Sequence, residues 1–252
     1  MRRVLGLIAI VVYLFLHVPL LVLTVFSFNS SRFTAWEGFS LKWYAAVMAD
    51  HRMLESTWNS LIIAFVATSA ATAIGTLAAY GMWKRKAPVL EGSLYLSLVT
   101  PEIVTGVSLL AFFQWLFHYM HIRLGMHTVI LAHVTFSIAF VVIVVSARLK
   151  TMDATLEEAA LDLGANHWQA FWRVTLPSLI PGIVAAALLT FTISFDDYVI
   201  TSLVAGVDSE TLPMVIYGMA RKGVNPTVNA ISATIVVLIG VLIVFAERLQ
   251  QE

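Results

Sequence analysis

Residues 155–177 read TLEEAALDLGANHWQAFWRVTLP, a polar stretch between very apolar segments, and its pattern decides the fold. Thr155 with Glu158 spells an S/T-x-x-E capping box, after which Leu156, Ala159, Ala160 and Leu163 recur at i, i+3, i+4 and i+7 along one helix face. Gly164 ends that helix as a C-cap. Asn166 with Gln169 marks a second N-terminus, Trp168, Phe171, Trp172 and Leu176 supply its apolar stripe, and Pro177 limits its continuation. The stretch therefore predicts a helix, a glycine turn and a helix. Glu158 and Asp162 are like charges at i, i+4, which weakens an isolated helix unless cations lie opposite. A basic partner surface removes that conflict, and so does water around a solvated loop helix; the charge pattern alone does not choose between them.

The flanking sequence is that of a membrane protein. Sixty per cent of the 252 residues are apolar and twelve per cent charged, against roughly 25% charged in soluble domains; mean hydropathy is +0.87. Fifteen basic and fifteen acidic residues cancel, which gives no hint of a nucleic-acid partner. Without cysteine, disulfide and thiolate chemistry are excluded.

An all-α, polytopic chain with six spans is expected. The first, residues 1–28, is apolar from Val4 to Phe28, too long for a signal-peptide core and without a clear small-x-small cleavage site. A polar loop, 29–56, has interfacial aromatics such as Trp36 and Trp43. The other five spans fall within 57–249: about Trp58 to Trp83, rich in small residues that let helices approach, Ser93 to Phe117 with Pro101 and Glu102 inside it, Thr128 to Leu149, Leu179 to Val204, and Val228 to Phe245. Residues 151–177 form the loop between the fourth and fifth. Arg2, Arg3, Lys84, Arg85, Lys86, Arg148, Lys150, Arg173 and Arg248 fall on the side of the termini, nine against six on the other. The positive-inside rule therefore puts the termini and the Glu158 loop in the cytoplasm.

No phosphate loop of the form G-x-x-x-x-G-K-[ST], no H-E-x-x-H and no G-x-S-x-G occurs, so neither nucleotide hydrolysis nor a common hydrolase mechanism is written in the chain, and no cofactor is expected. The informative residues are acids inside apolar spans. A carboxylate at the bilayer centre costs on the order of 2.5–3.5 kcal/mol, so it faces a partner or a watery path. Glu102 and the pair Asp196-Asp197 are such acids. Helix neighbours point about 100° apart, so one of Asp196 and Asp197 lines a path while the other meets a neighbouring helix. No Lys or Arg lies inside the fifth span; a substrate with separated ammonium groups would supply the counter-charge. The plainer readings are that the two aspartates cap an interrupted helix or pair with a partner subunit, and that Pro101-Glu102 is helix-start chemistry. His118, His121, His127 and His133 match no metal signature. Trp43 offers an aromatic face that could hold an ammonium group by cation–π attraction.

Two resemblances extend this reading. Glu158-Ala159-Ala160, Gly164 and Val174-Thr175-Leu176-Pro177 resemble the EAA loop of ABC-importer permeases, E-A-A-x3-G-x9-I-x-L-P, with Val174 where the family usually has Ile. The blocks SFNSSRF at 27–33, KWY at 42–44, AHVTFSIAFVVIVVSARL at 132–149, FTISFDDYVITSLVAG at 191–206 and LPMVIYGMARKGVNPTVNA at 212–230 resemble the second permease subunit of spermidine/putrescine importers. The resemblance implies a type I ABC-importer permease fold in a bacterial inner membrane, with residues 57–249 as its transmembrane domain. It also implies polyamine-pathway roles for Trp43, Glu102, Ser194, Asp196 and Asp197. Glu102 stands where relatives often have Asp. For the loop it implies that Glu158, Ala159, Ala160, Asp162 and Gly164, with Leu176 and Pro177 closing the motif, dock on an ATP-hydrolysing subunit. The implied partners are a second permease subunit, two copies of an ATP-binding subunit, a periplasmic polyamine-binding protein and membrane lipid. An ion-coupled secondary transporter of organic cations would use the same acids for protons, but discontinuous helices in two inverted halves are not evident. An intramembrane enzyme would need a nucleophile–base pair that is not visible; a purely structural membrane subunit stands as a further alternative, and copurification with an ATPase would favour the permease over all three.

Overall fold

The computed structural model describes the backbone at residues 2–33, 35–120, 122–153, 155–223 and 226–251, and the side chains of these except 2, 3, 120, 239 and 242–251. His121 and the side chains of Arg2, Arg3 and Arg248 lie outside the described residues. In chain order the helices are α1 (Arg2–Phe26), α2 (Lys42–Ala49), α3 (His51–Lys84), α4 (Pro88–Val99), α5 (Glu102–Met120), α6 (Met126–Thr151), α7 (Thr155–Asp162), α8 (His167–Ala170), α9 (Leu176–Asp196), α10 (Val199–Val204), α11 (Leu212–Arg221) and α12 (Pro226–Gln251). A π-helical segment, Phe171–Thr175, joins α8 to α9.

The chain forms two compact units, Met1–Glu55 with Met214–Glu252, and Ser56–Pro213. In the first, α12 packs on α1 and α2. The loop after α1 is gathered around Asn29. Its Nδ2 donates to Phe33 O (3.3 Å) and Ala35 O (2.7 Å), its Oδ1 accepts from Glu37 N (3.0 Å), and its carbonyl accepts from Trp43 Nε1 (2.7 Å).

The second unit holds the elements that matter for function. Ala67, Ala71 and Ala79 on α3 are fully buried. At Gly75 an added Cβ would come within 2.7 Å of the Val141 side chain, so this stripe of small residues is the seam on which α3 meets α6. Val141, Val145, Leu149, Leu179 and Ala186 continue that core between α6 and α9. A second core gathers Phe113, Phe117, Val129, Phe136, Ile200 and Val204 from α5, α6 and α10.

Among the described residues, four helical stretches are long and apolar enough to cross a membrane: Val4–Phe26, His51–Lys84, Met126–Thr151 and His167–Asp196. The third expected span is not one rod. It breaks at Thr100-Pro101 into α4 and α5, bent by 110°, because the residue before a proline is driven to extended backbone, here φ −66°, ψ 127° at Thr100. The fifth does not run to Val204. It stops at Asp196 and restarts as α10. The sixth lies within α12, whose described apolar part, Pro226–Leu238, is shorter than a full span. Among the described residues the count is therefore four, or five with the bent pair taken as one span, against the six expected. Pro177 does not end its helix either. It falls in the first turn of α9, where a missing N–H is tolerated, and the π segment before it absorbs the change of register.

Candidate functional site

The two helix breaks open one cavity. At the first, Glu102 begins α5, and Val104 and Thr105 donate their N–H groups to Pro101 O at 2.9 and 3.2 Å. At the second, Asp197 is extended (φ −64°, ψ 125°) between α9 and α10. The cavity, of ≈ 400 Å³, is lined by Glu102, Asp196 and Asp197 together with Thr100, Phe136 and Tyr198. All three intramembrane acids singled out from the sequence therefore meet in one place.

Their environments differ. Asp197 is engaged by its own chain: Oδ2 accepts from Thr201 N (2.8 Å) and Thr201 Oγ1 (2.7 Å), and Oδ1 accepts from Ile200 N (3.4 Å). His133 of α6 brings Nε2 to 3.4 Å from Asp197 Oδ2 and 2.9 Å from Thr201 Oγ1, and its Nδ1 to 2.7 Å from Ser194 Oγ. Because the single hydroxyl proton of Thr201 points at Asp197, Thr201 Oγ1 is an acceptor toward His133, which places a proton on Nε2. Ser194, His133, Thr201 and Asp197 thus form one chain of hydrogen bonds across α9, α6 and α10. Asp197 thus has the geometry of one of the plainer readings, capping the helix that restarts at α10, and a histidine on another span reaches it as well. Ser194 is buried in this chain and does not line the cavity. Asp196 and Glu102 are exposed to the cavity and, among the described residues, neither has a hydrogen bond or ion pair.

The 155–177 loop has the expected helix–turn–helix form. Gly164 adopts φ +91°, with Gly164 N donating to Leu161 O (2.9 Å) and Ala165 N to Ala160 O (3.0 Å), the pair of bonds of a Schellman C-cap. Asn166 and Gln169 close a reciprocal capping box at 3.0 and 2.8 Å. The first helix starts differently: Thr155 turns its N–H (3.0 Å) and hydroxyl (2.8 Å) to Asp153 Oδ1 instead of capping with Glu158. The apolar stripe faces outward, with Leu156 51% and Leu163 90% exposed, beside exposed Glu158, Ala159 and Asp162. Ala160 is half-buried, as is Leu176, and Pro177 is exposed at the foot of α9.

The inward residue of α7 is Glu157, which sequence reading passed over. Its side chain is 1% exposed; Oε1 lies 2.7 Å from Lys84 Nζ and accepts from Tyr80 OH (2.9 Å), and Oε2 accepts from Thr175 Oγ1 (2.9 Å). Burial pushes its carboxyl up, but the bonds from Lys84, Tyr80 and Thr175 and the Lys84 charge outweigh that and hold it below the ordinary Glu value. The signal for it was its place three and four residues before Ala160 and Leu161, the other partly buried positions of α7.

Trp43 belongs to the other unit. Its ring is buried, with Lys42 Nζ 4.8 Å and the Arg32 guanidinium 5.9 Å from the centroid. No cluster of three or more His, Cys, Asp or Glu suited to a metal ion occurs among the described residues.

An all-helical bundle of broken spans, with a helix–turn–helix loop presented outward, defines a class of membrane transport subunit. The chain belongs to the binding-protein-dependent transport system inner membrane components, the permease subunits of ABC importers, whose family profile matches residues 71–251. The putrescine transport system permease protein PotI of Escherichia coli K12 is 40% identical over 237 residues, covering 91% of this chain and 84% of its own. The spermidine/putrescine transport system permease protein PotC of the same organism is 39% identical over 242 residues, covering 94% and 90%. Among solved structures, a bacterial ABC transporter involved in the import of the acidic polysaccharide alginate shares the fold at TM-score 0.77 and 15% identity, over 99% of this chain and 94% of that one.

Proposed function

We propose that this permease carries polyamines of the putrescine and spermidine kind across the bacterial inner membrane, driven by ATP that a separate subunit hydrolyses. The observation that carries the reading is the ≈ 400 Å³ cavity in which Glu102 and Asp196 stand without a counter-charge among the described residues. Acids within membrane spans call for cations, and a polyamine brings two or more ammonium groups separated by apolar carbon. The kinship to permeases named for putrescine and spermidine supports the same class.

The acids divide their work. Glu102 and Asp196 meet the ligand, while Asp197, held by Thr201 and His133, fixes the start of α10 and with Ser194 keeps the cavity wall in register. Trp43 serves as an aromatic contact for a passing cation, as its ring already does for Lys42 Nζ.

Residues 57–249 act as the transmembrane domain, and 29–56 as a periplasmic loop. The termini and α7 face the cytoplasm, where Lys84, Arg85 and Lys86 lie. There the exposed Leu156, Glu158, Ala159, Asp162 and Leu163 dock in a cleft of the ATPase, and Gly164, Leu176 and Pro177 set the angle at which the loop returns to α9. A second permease subunit, two ATPase copies and a periplasmic binding protein complete the importer. Closure of the ATPase pair moves α7, and the spans exchange inward for outward access.

Uptake of labelled putrescine and spermidine into vesicles that hold the complete complex tests this. ATP-dependent uptake of either is expected. Uptake that follows a proton gradient and ignores ATP would make the chain a secondary transporter, and no uptake of either amine would remove the substrate class.

A further inference from the structure

Glu157 takes no part in the cation cavity and is turned away from the face of α7 offered to the ATPase. Its carboxylate instead joins three separate elements. Lys84 and Tyr80 lie on one face of the last turn of α3 at i, i+4; Thr175 ends the π segment at the head of α9; and Glu157 itself stands on α7. The carboxylate end of the junction is buried, with Glu157 1% and Thr175 0% exposed, while the Lys84 side chain is 38% exposed. It is also packed, since the Tyr80 ring lies 4.7 Å from that of Phe171 and Lys84 Nζ lies 4.8 Å above Trp83. The π segment matters here, because its extra residue per turn is what turns Thr175 inward while Trp172 and Arg173 stay outside.

The other inward contacts of α7 are slight, as Ala160 and Leu161 are only half-buried and Leu156 and Leu163 point away. A helix that rests on the bundle through so little apolar surface is tied to it by the carboxylate. Buried ion pairs add little net stability but fix geometry, and losing one partner leaves an uncompensated charge.

We infer that Glu157, acting through Lys84, Tyr80 and Thr175, is the positioning residue that makes α7 move as one body with the ends of α3 and α9, so that ATPase motion is delivered to both spans at once. This rests on the reading of α7 as the ATPase-facing helix. The junction lies opposite the docking face, so cutting it should leave the ATPase bound and turning over while uptake fails to follow.

The experiment measures putrescine taken up per ATP hydrolysed in vesicles of the complete complex, with ATPase copurification scored alongside. For Glu157→Gln and Lys84→Met the ATPase is expected to stay bound and to hydrolyse ATP within about twofold of native, while uptake per ATP falls about tenfold, in the range of a single coupling interaction. The exchanged pair Glu157→Lys with Lys84→Glu is expected to recover part of the loss, which a merely structural defect would not. Thr175→Val, which removes one bond and leaves the ion pair, gives a smaller loss and serves if Glu157→Gln does not assemble. A native uptake-to-ATP ratio in the assembled variants, with only their yield reduced, would overturn the inference. Failure of the underlying reading shows separately, as native complex that takes up no amine with ATP, and overturns the inference with it.

Discussion

Two acidic clusters in the same unit are built on opposite plans. Around Glu157 the chain supplies its own ammonium at 2.7 Å and two hydroxyl donors, and the carboxylate is buried. Around Glu102 and Asp196 it supplies a cavity and, among the described residues, no partner. An acid that is matched inside the fold holds geometry; an acid left unmatched inside a membrane is kept for something that arrives from outside. Asp197 stands between the two, lining the cavity yet already bound by Thr201 and faced by His133.

That contrast predicts a graded series of effects. The largest belongs to Glu157→Ala, which strands Lys84, Tyr80 and Thr175 and should cost about 3 kcal/mol of unit stability. Lys84→Met should cost about as much, because it leaves the buried Glu157 carboxylate with its hydroxyl donors but no counter-charge. Thermal unfolding of the purified complex measures both. His133→Ala comes next: it leaves Ser194 and Thr201 without their imidazole partner, and about 2 kcal/mol is expected in the same measurement. Asp196→Asn and Glu102→Gln should leave the melting point near native, since neither acid is bound within the fold, yet each should lower amine uptake about tenfold, the loss of about 1.4 kcal/mol of ligand attraction. A large loss of stability in either would put these two in the same class as Glu157 and erase the distinction.

The smallest effect is on pH. Because the Glu157 carboxyl is held below its ordinary value of 4.5, its contribution is complete above that value and is lost as the pH falls through the lowered folded one. The protection of residues 155–162 against hydrogen exchange, taken relative to the unstructured chain at each pH, should therefore be flat from neutral pH to about 5 and fall only in stronger acid. Glu157→Gln should abolish that acid limb and leave the protection uniformly lower.

The loop was the most legible part of the sequence because its signals are local. Asn166 with Gln169, and Gly164 after Leu163, each act within a few residues, and the structure holds them as the sequence spells them. The start of α7 was misread because two local caps compete, and Asp153 takes the Thr155 hydroxyl that a capping box with Glu158 requires. The break at Pro101 was visible as a residue but not as a bend, since whether a proline kinks a span or splits it depends on what packs beside it. Glu157 and His133 were the real omissions, and for one reason. Glu157 meets Tyr80 across 77 residues and His133 meets Ser194 across 61, so neither partner leaves a periodic or short-range trace. His133 was weighed only as a metal ligand and Glu157 not at all, although an acid at the inward register of a short helix and a basic residue ending a span are each a cue to look for the other.

The most direct test of the division between matched and unmatched acids sets a diamine against its singly acetylated form, which keeps one cation and loses the other, and compares ATP-driven uptake of the two by the native complex, Asp196→Asn and Glu102→Gln. The expected result is a native preference for the diamine that falls about tenfold in each variant while Thr175→Val leaves it untouched. An unchanged preference in both variants would contradict the assignment of Glu102 and Asp196 as the groups that meet the ligand.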